Sequence, residues 1–339
     1  HHGIRDSSTS RGLGDVYKRQ NLFVFSFSIL PFVLIFNFRS KYIIFGLLSI
    51  PITILLFSSF FRLYNKDNKV SDKNLITLVQ PNIEQKDKWN LEKRNANLNK
   101  LTKFSLQNVN EYIGVNRIII WPETSFEGTI PNEMELLSVI SKRILTDQKA
   151  ILVVGLLRVD KNQLFNSLVF LNSKGNIIHQ YDKIHSVPFG EYIPLRNKFT
   201  TIANFLSLKD FSSGNIKPNF TLKGFGNILT LICYEILFTE EVISRLSKNT
   251  NLLINITNDA WFGKTIGPYQ HLALAKIKAV ELGIPLARVA NTGISALISP
   301  YGEEITKIPL YESGVRTAKL TLPLKNTIYR RYGEIIFIV

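Results

Sequence analysis

Two long stretches without a charged residue, close to the start of the chain, constrain its fold more than any other feature. Residues 21–38 are apolar, interrupted by Ser26, Ser28, Pro31 and Asn37, and residues 42–61 form a second run of twenty. A helix of that length covers about 30 Å, the hydrocarbon thickness of a bilayer. Neither run has the polar face that a helix at the surface of a soluble core presents. Two membrane-crossing helices are therefore expected rather than two core helices, and Pro31 and Pro51 are tolerable in that setting. The short link Arg39-Ser40-Lys41 makes them an antiparallel pair. Orientation is undecided from charge alone. Arg39 and Lys41 favour a cytoplasmic link, yet Arg62, Lys66, Lys69 and Lys73 follow the second run, and Arg330 and Arg331 precede the last apolar segment. That segment, within 330–339, reads as the start of a further spanning helix.

The remaining organisation follows from periodicity. Residues 1–20 are polar, begin with two histidines and read as a foreign segment. Residues 62–73 are a linker, and 74–329 form the main domain. Strand-like runs fall at 75–79, 117–121, 150–157, 167–171, 177–181, 228–233, 252–257, 287–290 and 295–299. Helix-like runs fall at 86–112, 132–146, 240–247 and 268–282. The last begins at Pro268 and stops at Gly283, a matched pair of boundary signals. Residues 172–176 read as a hairpin turn. Strands alternating with helices indicate an α/β fold.

The net charge is +15. No recognition helix, zinc-ligand spacing or aromatic-basic RNA motif accompanies it, so no nucleic-acid partner is expected. Attraction to anionic lipid headgroups suits the apolar runs better. A single cysteine excludes an internal disulfide framework. The few histidines form no ligand cluster and there is no glycine-rich phosphate loop, so neither metal nor cofactor is expected.

That single cysteine, Cys233, ends an apolar run, as do Glu123 in Trp121-Pro122-Glu123-Thr124 and Lys183 in Tyr181-Asp182-Lys183-Ile184-His185. The thiolate is the reactive form of cysteine. Glu123 can take the thiol proton and return it to a leaving group. Lys183 and the Tyr234 backbone N–H can stabilise a tetrahedral oxyanion. Taken singly, the cysteine is more often a core filler, the glutamate a loop residue and the lysine a surface residue. Taken together they make a nucleophilic site that works through a thioester.

The strings around them carry a resemblance. Leu78-Val79-Gln80-Pro81-Asn82-Ile83, Trp121-Pro122-Glu123-Thr124 and Tyr181-Asp182-Lys183-Ile184-His185 occur in order. Val187-Pro188-Phe189-Gly190-Glu191-Tyr192-Ile193-Pro194 and Ile232-Cys233-Tyr234-Glu235 follow. Asn258-Asp259-Ala260-Trp261-Phe262-Gly263, Gly267-Pro268-Tyr269-Gln270-His271 and Asn291-Thr292-Gly293 complete the series. Together they resemble the nitrilase, or carbon-nitrogen hydrolase, superfamily, and within it the apolipoprotein N-acyltransferase family. The resemblance implies a four-layer α-β-β-α sandwich preceded by two transmembrane helices and followed by the start of another. It implies a bacterial inner-membrane enzyme with its catalytic domain on the periplasmic side. It places the catalytic triad on Glu123, Lys183 and Cys233, and supporting roles on Trp89, Asn166, Glu191, Tyr234 and Glu235.

Glu191 would orient the lysine or the thiol. Trp89 would pack on lipid or cover the core. Trp261 and Phe262 would line an acyl pocket or staple their loop. The implied reaction moves an acyl chain from a phospholipid donor, through the Cys233 thioester, to the α-amine of a diacylglyceryl apolipoprotein. The alternative is a membrane-anchored amidase that uses water as acceptor. The family carries more membrane helices than the two and a fragment counted here, and Lys276 and Lys278 stand where it has arginines.

Overall fold

The computed structural model describes residues 69–107, 109–187, 191–192, 210–215, 220–324 and 327–333, with isolated positions between 53 and 66. The expected membrane segments 21–38 and 334–339 lie outside the described residues, as does all of 42–61 except positions 53, 57 and 60. The segment 1–20 is outside them too. No helix among the described residues is long and apolar enough to cross a membrane.

In the unit Lys69–Val339 the order of elements is β1 (Val70–Gln80), α1 (Leu91–Ser105), β2 (Asn116–Ile120), β3 (Phe126–Ile130), α2 (Met134–Ile144), β4 (Ala150–Asp160), β5 (Gln163–Leu171) and β6 (Ile177–Asp182). It continues with β7 (Phe220–Leu222), β8 (Gly226–Ile232), α3 (Thr239–Arg245), β9 (Thr250–Thr257), α4 (Gly267–Leu282), β10 (Leu286–Ala290), β11 (Ser295–Ile298), β12 (Glu304–Ile308), β13 (Gly314–Thr321) and α5 (Ile328–Tyr332). Two sheets result. The first runs β13-β1-β2-β4-β5-β6, with β3 also on β4; the second runs β12-β11-β10-β9-β8-β7.

Strand periodicity explains the layering. Successive side chains of a strand point to opposite faces. Ile118 and Ile120 of β2 face the second sheet, where they meet Ile232, Ile254 and Val289. Their neighbours Ile119 and Trp121 face outward onto Leu101 of α1 and Leu137 of α2. On the second sheet Leu229, Leu231 and Leu253 face outward onto Val242 of α3 and Leu272 and Ala279 of α4. Strands apolar on both faces are buried on both faces. The result is helices, sheet, sheet, helices.

The fold departs from the sequence reading at three kinds of place. The helix expected over 86–112 begins only at Leu91, because the Asn90 side chain accepts the Glu92 N–H and caps it there. It ends at Ser105, and Val109–Tyr112 is a separate 3₁₀ turn. The strand expected over 228–233 stops at Ile232. Four strands carried no apolar run: β3, β7, β12 and β13. Of these β3 and β12 alternate in burial, β13 is partly or fully exposed until its last two residues, and β7 is only three residues long.

The parallel strands β1, β2 and β4, and β8, β9 and β10, direct their C-terminal ends to one edge of their sheets. Strand β6 is antiparallel to β5, itself antiparallel to β4, so it ends on that same edge. Crevices at the carboxyl ends of strands are where open α/β sheets hold ligands. Glu123, Lys183 and Cys233 all sit just past such ends.

Candidate active site

Cys233 sits where the chain leaves β8 and tightens into the 3₁₀ turn Cys233–Leu237. Its φ is +55°, left-handed for a residue that is not glycine. Such a conformation costs on the order of 1 kcal/mol or more and persists only when its surroundings fix it. Glu235 supplies the fixing. Its Oε2 accepts the Ile232 N–H at 2.7 Å, while its Oε1 accepts the Ile184 N–H at 2.8 Å and the Tyr181 hydroxyl at 2.7 Å. Arg245 donates to that Tyr181 oxygen at 2.7 Å. One buried carboxylate therefore ties the cysteine turn of the second sheet to the lysine-bearing end of the first.

Glu123 lies in the turn after β2, which reaches close to β4. A Cβ at Gly155 would stand 2.3 Å from the Pro122 carbonyl oxygen and 2.7 Å from the Glu123 Cα, so only glycine allows this approach. The carboxylate accepts from Asn166 Nδ2 at 2.7 Å and from the Asn258 N–H at 2.8 Å. Lys183 Nζ is 3.6 Å from Glu123 Oε1 and 2.8 Å from Glu191 Oε1. Asn166 also donates to Glu191 at 2.9 Å, which uses both amide hydrogens. Glu191 takes the Val187 N–H on its other oxygen at 2.8 Å. Of the two readings of Glu191, the geometry supports orientation of the lysine.

Electrostatics separates the two reacting groups. Burial opposes the charge on Lys183, but Glu123, Cys233 and Glu191 outweigh it and raise its pKa above the ordinary lysine value. Burial pushes the Cys233 thiol up to about 12; Glu123 adds to this, and Lys183 draws only part of it back. Lys183 does favour the thiolate, as a cation beside a thiol should, but burial and Glu123 outweigh it, so a base must remove the thiol proton.

The supporting residues divide. Asn166, Glu191 and Glu235 join the cluster just described. Tyr234 is half-buried, stacked on His271 with ring centroids 4.8 Å apart and set edge-on to Phe262 at 6.0 Å. Trp89 is 50% exposed and Trp261 71% exposed. Of the Trp261–Phe262 pair it is Phe262 that packs beside the cysteine turn, against Tyr234. Lys276 pairs with Glu304 and Lys278 with Glu281.

Other groups at the site carry no sequence signal of their own. Lys88, only 2% exposed, donates to the Glu123 backbone carbonyl at 3.0 Å. Thr257, Asp259, His271 and Arg288 form a buried cluster behind the sulfur. Asp259 and His271 stand inside the quoted strings, and Thr257 directly precedes one of them, but nothing in the strings brings α4 and β10 together.

A carboxylate, an ammonium and a thiol at the carboxyl edge of a four-layer sandwich define the class. Residues 75–328 match the carbon-nitrogen hydrolase family model, and the chain belongs to that family. Among relatives, apolipoprotein N-acyltransferase of Rhizobium etli is 39% identical over 250 residues, covering 71% of this chain and 46% of the relative. That of Vibrio cholerae is 33% identical over 270 residues, covering 76% and 52%. The chain thus spans about half the length of the curated relatives it matches. Among solved structures, a cysteine-to-alanine variant of the Nesterenkonia AN1 amidase, from the nitrilase superfamily, superposes with a TM-score of 0.55 at 19% identity over 79% of this chain and 98% of that one. Saccharomyces cerevisiae Nit3 gives 0.56 at 18% over 74% and 91%. At such identities these two show the shared fold.

Proposed function

We propose that this chain carries the catalytic domain of an apolipoprotein N-acyltransferase that works through a thioester on Cys233. The observation that carries the reading is the buried Glu123–Lys183 pair, 3.6 Å apart, at the strand ends, with Cys233 likewise buried just past the end of β8. The kinship with named N-acyltransferases supports the choice of substrates.

Glu123 takes the thiol proton as Cys233 Sγ attacks an ester carbonyl of a phospholipid. The Lys183 ammonium and the Tyr234 N–H hold the oxyanion. Collapse of the tetrahedral adduct breaks the ester C–O bond, and Glu123 returns its proton to the departing lysophospholipid alkoxide. The α-amine of a diacylglyceryl-cysteine then attacks the thioester and gives its proton to Glu123. The C–S bond breaks and the thiolate recovers that proton. Asn166, Glu191 and Glu235 keep the carboxylate, lysine and cysteine turn in register. The apolar runs 21–38 and 42–61 would carry the domain at the outer face of the bacterial inner membrane, where both lipid substrates reach one sulfur.

The test is chemical. The full chain in detergent is mixed with phosphatidylethanolamine labelled in its acyl chain, and then with a diacylated peptide bearing a free amine. Label on the wild-type protein, none on Cys233→Ala, and transfer of that label to the peptide are expected. Release of free fatty acid alone would make the enzyme a water-using amidase relative, the alternative read from the sequence. Absence of label from the wild-type protein would remove Cys233 as nucleophile.

A further inference from the structure

Behind the sulfur lies a closed polar cluster that this mechanism does not use. Thr257, the last residue of β9, places Oγ1 3.3 Å from Cys233 Sγ and 3.1 Å from Asp259 Oδ1. Asp259 Oδ1 is also 2.9 Å from His271 Nδ1 on α4, and Oδ2 accepts from Arg288 Nη2 on β10 at 2.7 Å. Thr257, Asp259, His271 and Arg288 are all at most 2% exposed. The other arm of Arg288 donates to Asn255 Oδ1 at 2.8 Å, and Asn255 Nδ2 donates to the Cys233 carbonyl at 3.0 Å. The cluster therefore grips Cys233 at its sulfur and at its backbone.

A hydroxyl carries one proton, and this one faces two acceptors. Beside a neutral thiol, the carboxylate is the stronger acceptor. Beside a thiolate the order reverses, because a buried anion without a donor is costly and a charge-assisted bond is strong. Asp259 does not suffer from the change, since His271 and Arg288 still serve it. Rotation about the Cβ–Oγ1 bond redirects the proton without moving a heavy atom.

We propose that Thr257 is a further catalytic residue, its hydroxyl turning from Asp259 to the Cys233 sulfur whenever the thiolate forms. The turn occurs once before acyl attack and again when the C–S bond of the thioester breaks. No proton changes owner at Thr257; the thiol proton goes to Glu123. Asp259 is not a rival base. Burial alone would raise its pKa, but Arg288 and His271 hold it well below the carboxylate range. The inference rests on the reading of Cys233 as nucleophile.

The charged and titratable groups that bear on the sulfur come from four segments. They are Lys88 before α1, Glu123 after β2, Lys183 after β6 and Asp259 after β9. Tyr234, next in sequence, also responds to it. Thr257 contributes a hydrogen bond that lowers the thiol pKa.

Because the chain has one cysteine, alkylation by iodoacetamide reads this sulfur alone. The full chain is titrated from pH 6 to 10 as wild type, Thr257→Val and Thr257→Ser. The valine variant is expected to react about tenfold more slowly along the rising limb, a displacement of about one pH unit upward. The serine variant is expected to follow wild type within about twofold, since its hydroxyl is retained. A purely structural threonine would produce no such displacement, and serine would not reverse one. Superposition of valine on wild type, or of serine on valine, overturns the proposal. If the valine variant does not fold, Thr257→Ala replaces it, and alanine reacting as fast as serine overturns it equally. A wild-type sulfur that is inert throughout removes the nucleophile itself, and the inference with it.

Discussion

The part of the site supplied by the first sheet sets two carboxylates, Glu123 and Glu191, against one ammonium, Lys183. The part supplied by the second sets one carboxylate, Asp259, against a guanidinium and an imidazole. Both are buried, yet they suit opposite tasks. In the first, Lys183 is shared between two acceptors, whose negative charge keeps it protonated. In the second, Asp259 is oversupplied with donors and held ionised. His271 is kept neutral by burial and by Arg288. That half does not take the thiol proton; it fixes Cys233 in place and, through the Thr257 hydroxyl, can steady the thiolate once that proton has gone. Proton traffic belongs to one sheet and nucleophile geometry to the other.

The most direct way to break this division is to remove the carboxylate from each side in turn. Glu123→Gln should lower the rate of thioester formation by about 10²- to 10⁴-fold, the usual worth of a positioned base. Single-turnover labelling from a phospholipid donor measures it. If Glu123→Gln stays active while Asp259→Asn does not, the proton traffic runs through the other sheet.

The second half should instead show itself in stability. Arg288→Met strands a buried carboxylate, at a cost of about 3–5 kcal/mol in unfolding free energy. The pH dependence sharpens the point. The folded pKa of Asp259 lies below its ordinary value of 3.8. Its stabilisation is therefore fully present above about pH 4 and is lost as the pH falls through and below that value. Thermal melts of wild type should fall steeply over that range and those of Arg288→Met less steeply. Parallel curves would deny Asp259 its ion pair.

The sequence made the first half more legible than the second, for physical reasons. Glu123, Lys183 and Cys233 each terminate an apolar strand, and the ends of parallel strands converge without any long-range knowledge. Asn166, Glu191 and Glu235 were carried by resemblance, and each joins the convergence. The layer order too was carried by resemblance, and strands apolar on both faces account for it physically. What stayed hidden depends on packing between distant elements. The Arg288–Asp259 pair needs β10 beside β9, and the His271–Asp259 pair needs α4 laid over both. Buried charges of this kind look like ordinary surface residues until a partner is found. The edge strands β12 and β13 escaped because half-exposed strands carry no apolar run. Trp89 is half-exposed and Trp261 largely exposed, and for each of them the sequence offered two settings.

Lys88 tests the comparison at its boundary, because it is a cation of the first half that no carboxylate among the described residues holds by a direct contact. Its Nζ donates to the Glu123 carbonyl, and burial lowers its pKa to about 8, against the pull of Glu123, Glu127 and Cys233. Below about pH 8 it is charged both folded and unfolded, and the fold carries the full cost of burying that charge. Between there and its ordinary value of 10.5, the unfolded chain binds a proton that the folded chain does not. Stability from this group therefore rises with pH across that window and levels off above it. The displacement corresponds to about 3 kcal/mol at most, and loss of the bond to the carbonyl offsets about 1 kcal/mol of it in a variant. Lys88→Met should accordingly be more stable than wild type by up to about 2 kcal/mol at neutral pH. That advantage should shrink and then reverse as the pH approaches 10.5. Denaturant melts of both proteins from pH 6 to 10 measure it. A difference that stays constant over that span would mean that Lys88 keeps its proton throughout, and that the first half of the site binds its second cation as firmly as it binds Lys183.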